Sequence, residues 1–271
     1  MKLKKGITDL FISSFLWGTI GVAVQIGYGE DANPFQMVMI RSLVSSILIL
    51  PLVKIRRIID FPSILLGIIA VTFYETYIYT INYLGASLSA VFLYTAPLWV
   101  LLYSLISKSE EINIRKIAAS FSVFLGVYLM YLSNITLKDL YLGLASGITY
   151  ALLIIQSRRL QLRRMTNTEI IASQSLWSFP FSLIFLFFNS FDLTIASIYT
   201  GVYLALFATL LPYYFFYKGM GKSDSITATV ISTLEPVFTI LLAFIILHQV
   251  LTFLQVLGSL VIIFSAILIS F

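Results

Sequence analysis

The sequence of 271 residues contains no cysteine and a single histidine, His248. The absence of cysteine excludes disulfides, thiolate metal sites and a cysteine nucleophile, and one histidine cannot build a multi-histidine metal centre. Charged residues are also scarce, since they make up 11% of the chain, whereas soluble domains contain about 25%. A chain that is 59% hydrophobic has too little polar surface to cover a water-soluble globule. The composition therefore predicts an integral membrane protein.

Ten apolar stretches are long enough to be transmembrane helices, because a bilayer core of about 30 Å needs about 20 helical residues. They comprise residues 7–27, 35–53, 64–84, 86–106, 114–133, 139–157, 168–188, 197–217, 225–247 and 252–270. The first is too long for the apolar region of a signal peptide, and no cleavage motif follows it, so we expect it to be retained. The sequence predicts an all-α protein of ten transmembrane helices without a soluble domain.

The basic residues predict the orientation of these helices. If the N-terminus is cytoplasmic, fifteen of the seventeen lysines and arginines fall on cytoplasmic segments, while Lys138 is external and Arg41 lies within a helix. Both termini are therefore predicted to be cytoplasmic, in a multi-pass protein of the cell membrane. Because the basic residues sit at membrane edges, the net charge of +5 does not indicate a nucleic-acid partner.

The two halves of the chain share a pattern. Residues 87–90 (SLSA) recur as residues 225–228 (SITA), and mid-helix prolines, Pro97 and Pro236, follow at nearly the same interval. Each half holds five predicted helices, and an odd number places the second half upside down in the membrane relative to the first. The sequence thus predicts two inverted repeats within one structural unit. The repeats comprise residues 1–135 and 136–271.

Several short motifs, taken together, resemble the EamA-type members of the drug/metabolite transporter superfamily over essentially the whole chain. The motifs are Leu16-Trp17-Gly18, Arg41, Tyr83 with residues 86–90 (ASLSA), Ala96-Pro97-Leu98, Glu111, Gly126, Glu235-Pro236-Val237 and Gly258. Three places at hairpin ends depart from the family pattern of glycine-glutamate pairs and glycine: Glu110-Glu111, His248-Gln249 and Ser120. The resemblance implies a carrier for small organic solutes, with helices 1, 3, 4, 6, 8 and 9 around a central path.

Three ionisable residues, Glu75, Glu235 and Arg41, fall within predicted transmembrane helices. A charge in mid-membrane costs at least about 2.5 kcal/mol, so each is a candidate for function. Arg41 could neutralise Glu75, attract an anionic substrate, or extend its stem toward the membrane surface. Because the family motif contains Arg41, the resemblance favours a structural charge. Gln174 holds the corresponding position in the second half.

Glu75 belongs to a polar stripe on the third predicted helix. It shares a helix face with Tyr79 and Asn82, and Tyr74 lies near the edge of that face. A carboxylate among aromatic rings suits an ammonium group, through charge and cation–π attraction. It also suits a coupling proton, because burial disfavours a charged carboxylate. The alternative is a structural ion pair with Arg41.

Glu235 shares its helix face with Ser232 and Thr239 and directly precedes Pro236. Neither Pro97 nor Pro236 can donate to the carbonyl four residues earlier, so both helices are expected to bend there. Such breaks are tolerated at membrane depth where they are buried or line a wet cavity. We interpret the two prolines as gating positions. Two roles stay open for Glu235: contact with a substrate or proton, or attachment of its helix to a neighbour.

Aromatic residues complete the predicted site. Tyr213 occupies the position in the second half that matches Glu75, and the adjacent Pro212 predicts a kink in helix 8. The predicted substrate-binding residues are Glu75, Tyr79, Asn82, Tyr74, Trp17, Tyr94, Tyr213, Glu235, Ser232 and Thr239. The predicted kink or gating residues are Pro97, Pro236 and Pro212.

These features predict a secondary-active or facilitative transporter that works by alternating access about a midplane site. The carboxylates favour an amino acid, amine or choline-like solute, and family analogy favours export. Protons are a candidate coupling ion. No cofactor or metal is expected, and no enzyme, because the sequence has neither a nucleophile–base set nor a phosphate loop. The alternative is a non-transporting membrane scaffold or sensor whose polar midplane residues join helices.

Overall fold

The computed structural model describes residues 5–29, 31–130, 137–187, 193–246, 250 and 252–271. Within these residues the structure contains α-helices, short 3-10 helices and one π-helix, and no strands. The α-helices are α1 Ile7–Gly18, α2 Ile20–Gly29, α3 Pro34–Ile49, α4 Phe61–Leu93, α5 Ala96–Ser107, α6 Ile114–Met130, α7 Leu137–Leu162, α8 Asn167–Phe187, α9 Ile195–Tyr203, α10 Leu211–Lys222, α11 Ser225–Ser232, α12 Glu235–Ile246 and α13 Phe253–Ser270. A π-helix, Leu204–Leu210, joins α9 to α10.

Six helical stretches of the described residues are long and apolar enough to cross a membrane. They are Ile7–Gly27, Pro34–Leu52, Phe61–Ile81, Ile195–Lys222, Ser225–Ile246 and Phe253–Ser270. Each of the ten predicted stretches is helical in its described residues, apart from short breaks. The prediction of an all-helical membrane protein is confirmed.

Helix α4 runs through the predicted junction between the third and fourth helices, so its bounds differ from the prediction. The chain nevertheless reverses direction between Thr76 and Thr95. The hydroxyl of Thr76 lies 3.3 Å from that of Thr149 on α7, and Thr95 lies against Gly147 on the same helix. A straight helix would carry Thr95 almost 30 Å beyond Thr76, at about 1.5 Å per residue. The stretch from 61 to 107 therefore passes along α7 in both directions.

The two repeat-related prolines lie at helix breaks with the same local geometry. The N–H groups of Thr95 and Leu234 each bond to the carbonyl three residues earlier, at 3.1 and 3.0 Å. A new helix then begins, α5 with Pro97 and α12 with Pro236 as its second residue. Proline is tolerated in a first helical turn because the N–H there has no helical partner. Each proline therefore accompanies a break between two successive helices.

The polar groups of α1 find partners near the end of the chain. The Asp9 carboxylate lies 3.0 Å from the Lys218 ammonium and 2.6 Å from that of Lys222. The Ser14 hydroxyl donates to the Ile231 carbonyl at 3.0 Å. Because a buried polar group without a partner is costly, these contacts fix α1 against α10 and α11.

Helix α1 also approaches α12 closely, at Gly18. A Cβ atom on Gly18 would lie 2.5 Å from Cβ of Phe238 and 3.2 Å from the carbonyl of Glu235. One helix must therefore move if this glycine gains a side chain. We expect Gly18→Ala to lower the free energy of unfolding by about 1–3 kcal/mol, seen as a lower Tm in detergent. Gly221→Ala is the control, because its nearest neighbour would be 3.4 Å away; equal Tm losses in both variants would contradict the prediction.

Candidate functional site

A cavity lies between helices from both halves of the chain. It is so narrow that it holds about one water molecule. Five of its lining residues are aromatic, and they face one cationic and one acidic side chain. The lining residues are Trp17, Ile20, Arg41, Phe73, Tyr77, Ile78, Leu93, Tyr150, Tyr213 and Glu235.

Arg41 on α3 is buried, and its guanidinium group is held from several directions. Its Nε donates to the Thr209 hydroxyl at 2.6 Å, and its Nη2 donates to the Ala208 carbonyl at 3.1 Å. The guanidinium carbon lies 3.6 Å from the centre of the Tyr74 ring, a cation–π contact. These contacts point the charge at the cavity.

Trp17 reaches the same carbonyl from α1. Its indole Nε1 donates to Ala208 at 3.1 Å. The ring meets those of Tyr213 and Phe216 at centroid distances of 5.1 and 5.2 Å. Tyr213, which directly follows Pro212, is itself buried and lines the cavity. Trp17 and Tyr213, both predicted from the sequence, thus form one continuous aromatic wall.

Glu235 is buried at the first position of α12 and lines the cavity. The break before Pro236 separates α11 from α12 and makes Glu235 the first residue of the new helix. The buried hydroxyl of Tyr94 faces the Glu235 carboxyl without a regular hydrogen bond, and Tyr150 is a further neighbour. Glu235 is therefore the acidic side chain of the cavity, and Arg41 the basic one.

Glu75 occupies a different position from the one expected. Its side chain is 4% exposed, yet no donor in the described part of the chain reaches either carboxyl oxygen. The ion pair with Arg41 is not formed, and Glu75 is not among the residues that line the cavity. Tyr79, on the same helix face, is partly exposed and stacks on Tyr83, with the two ring centroids 6.3 Å apart. Glu75 and Tyr79 are thus separate from the cavity.

Two predicted residues donate to backbone carbonyls in this conformation. The Ser232 hydroxyl donates to the Thr229 carbonyl at 2.7 Å. The Thr239 hydroxyl donates to the carbonyls of Gly18 and Glu235, at 3.0 and 3.1 Å. Neither lines the cavity. The side chain of Asn82 and all of His248 lie outside the described residues.

Comparison with known proteins identifies the class of molecule. The profile of the EamA-like transporter family matches residues 4–132 and again residues 137–271. The chain belongs to the EamA-like transporter family. It is accordingly a multi-pass membrane transporter, with a small-molecule substrate and the lipid bilayer as its surroundings.

Relatives of this EamA-like transporter agree with that assignment. An "Uncharacterized transporter" of Archaeoglobus fulgidus is 24% identical over 270 residues, covering 93% of this chain and 92% of the relative. The "Uncharacterized inner membrane transporter YicL" of Salmonella typhimurium is 25% identical over 293 residues, covering 98% and 95%. A solved crystal structure, 15% identical, superposes with a TM-score of 0.82 over 97% of this chain and 95% of that one. The last comparison supports the fold alone.

A buried polar network of the transporter was not found from the sequence. The Gln174 amide donates to the Tyr74 hydroxyl, and the Tyr217 hydroxyl donates to Gln174 Oε1 at 2.5 Å. The Ser157 hydroxyl completes the chain, donating to Tyr217 at 2.9 Å. Gln174 thus supports the ring that lies under Arg41. The sequence signal for this network was that Gln174 in the second half of the chain aligns with Arg41 in the first.

A second missed cluster joins the two halves near the loop before α6. The carboxylate of Glu110 accepts from the backbone N–H of Ser225 at 2.9 Å, at the start of α11, and lies 3.3 Å from Nε of Arg158. Lys116 pairs with Asp224 at 3.1 Å. A carboxylate is stabilised at a helix N-terminus, where N–H groups lack helical partners. Glu110 stands where the family pattern has glycine, and that departure was the sequence signal.

Proposed function

We propose that this EamA-like transporter moves a small zwitterionic metabolite, with an amino acid as the leading class, by alternating access. The two five-helix halves, residues 1–135 and 136–271, are inverted relative to each other, with both termini cytoplasmic. The double match of the family profile and the shared geometry at Pro97 and Pro236 support two repeats. By analogy with the family, we propose export as the direction.

The pairing of charges in the cavity carries the substrate proposal. Among the described residues that line it, Arg41 is the one cation and Glu235 the one carboxylate. Two of the three guanidinium nitrogens are engaged, while Nη1 donates no hydrogen bond to a described residue. A zwitterion offers a carboxylate to Arg41 and an ammonium group to Glu235, so no charge is left unpaired. An amine or choline would leave the Arg41 charge without an anion.

The narrowness of the cavity fits one step of a transport cycle. An amino acid needs far more room than one water molecule, so the walls must separate to admit it. The helix breaks before Pro97 and Pro236 supply short segments that can move against each other. Binding and release from opposite sides then follow from rocking of the two halves.

Glu75 is proposed as the site of a coupling proton. Its carboxyl is buried without a donor from any described residue. A carboxyl group in such a place can gain or lose a proton when a conformational change alters its surroundings. Since Glu75 lies apart from the cavity, the proton and the solute occupy separate sites. Their movements are then linked through the conformational change.

Matched probes test the substrate class. L-Phenylalanine carries both charges and an aromatic ring, phenethylamine lacks the carboxylate, and 3-phenylpropionate lacks the ammonium group. We expect each one-charge analogue to bind about 10- to 100-fold more weakly than L-phenylalanine, since each leaves a buried charge unpaired. Thermal-shift titration of the purified protein measures this, and uptake into proteoliposomes checks it.

Choline serves as the fourth probe, because it is a cation without a matching carboxylate. Tighter binding of choline or phenethylamine than of L-phenylalanine would show that the carrier takes cations and that Arg41 is structural. If none of the four probes raises the Tm or enters proteoliposomes, the proposed substrate class is wrong.

A further inference from the structure

We infer that Pro212 is a positioning residue of this transporter: it leaves the Ala208 carbonyl free to orient the Trp17 indole and the Arg41 guanidinium at the cavity. The inference rests on the proposed function only in taking the cavity as the binding site. The residues concerned lie on three separate helical segments, α1, α3 and the segment from α9 to α10.

The argument begins with the missing N–H group of proline. In an α-helix, the carbonyl of Ala208 would accept the N–H of residue 212, four positions later. Residue 212 is proline, so that donor does not exist. Ala208 is fully buried, and a buried carbonyl requires partners. The Trp17 indole and Arg41 Nη2 supply two, each at 3.1 Å.

The π-helix before Pro212 adds a second acceptor for Arg41. Its wide turn is shown by the N–H of Leu211, which bonds to the carbonyl of Leu206, five residues earlier. The Thr209 hydroxyl donates to the Leu204 carbonyl at 3.0 Å and accepts from Arg41 Nε at 2.6 Å. Such π-turns are frequent at functional sites. The irregular backbone here holds one edge of the guanidinium group, through Nε and Nη2.

This arrangement makes a specific prediction for Pro212→Ala. α-Helical spacing resumes with α10 at Leu211, so the N–H group of residue 212 in the variant competes for the Ala208 carbonyl. The indole and guanidinium then lose a partner. The protein has three tryptophans, and ¹⁵N-tryptophan labelling gives one indole N–H signal for each. The Trp17 signal is the one that disappears in Trp17→Phe. We expect Pro212→Ala to shift this signal upfield, as hydrogen-bonded indole protons do when the bond is lost.

A matched control is available in α8. Pro180 lies inside that helix on an exposed face, and Trp177 is one turn away. Pro180→Ala should leave the Trp17 signal unchanged and affect at most that of Trp177. A Trp17 signal that stays in place in Pro212→Ala overturns the inference. Because the signal is measured without solute, this result is independent of the proposed substrate.

Transport supplies the second readout. With L-phenylalanine as the probe, Pro212→Ala should raise KM about tenfold, the size expected for weakening one hydrogen bond to a charged group, with little change in kcat. In a Trp17→Phe, Arg41→Gln background, Pro212→Ala should have no further effect on KM. An unchanged KM together with a shifted Trp17 signal also overturns the inference, since the carbonyl would then orient nothing that matters for binding. If L-phenylalanine is not carried, the Trp17 signal decides alone.

Discussion

Replacement of Glu75 by glutamine is expected to abolish the acceleration of uptake by a pH gradient while leaving exchange of the solute intact. Glutamine has nearly the shape of a protonated glutamate, so the packing around α4 is preserved, yet it cannot release a proton. In proteoliposomes with an acidic lumen, the native protein should accumulate L-phenylalanine above its external concentration. Glu75→Gln should only equilibrate it.

Counterflow with L-phenylalanine on both sides provides the matched measurement, because it needs no proton movement. Glu111→Gln is the control variant, since Glu111 is exposed in the loop before α6. Accumulation by Glu75→Gln equal to that of the native protein would falsify the role of Glu75 as the proton site. Loss of counterflow as well would assign Glu75 to the transport of the solute itself.

The second large effect is expected at Arg41. Arg41→Gln removes the positive charge of the cavity, and L-phenylalanine should bind about 10- to 100-fold more weakly. Phenethylamine, which has no carboxylate, should bind as well as before or better, because the repulsion from Arg41 is gone. The preference for L-phenylalanine over phenethylamine, measured by thermal-shift titration, should therefore disappear or reverse.

Two further variants make this test specific. Arg41→Lys keeps the charge but loses the planar fork that contacts Thr209 and Ala208 together, so its affinity for L-phenylalanine should be intermediate. Arg159→Gln is the control, because Arg159 is exposed and contacts Tyr103. Parallel losses for L-phenylalanine and phenethylamine in Arg41→Gln would indicate a structural charge, as the family resemblance suggests.

Local sequence was sufficient for much of the fold. Apolar runs of about 20 residues specify spanning helices without reference to neighbours, and a proline restricts the backbone wherever it occurs. The membrane class and the helix breaks near Pro97 and Pro236 could therefore be predicted. The inversion of the halves and the direction of the termini stay predictions, and so do the roles of the individual site residues.

The site was harder to predict because it depends on which face of each helix meets which neighbour. Glu75 and Arg41 are both buried ionisable residues, and opposite charge made an ion pair reasonable. The rotation of α4 instead presents Tyr74 to Arg41, and the guanidinium takes acceptors from the π-helix. The π-turn has no local signature. The contact of Glu110 with the start of α11 depends on a partner far along the chain, and its one sequence signal was the departure from the family pattern.

The long-range contacts of α1 have a consequence for the order of synthesis. Asp9 and Trp17 leave the ribosome first, but their partners Lys218, Lys222 and Ala208 follow about two hundred residues later. At 5–20 residues per second this interval is about 10–40 seconds. During this interval α1 is present without the partners of its Asp9 carboxylate and its Trp17 indole. Its final position is fixed only when α10, α11 and α12 have followed.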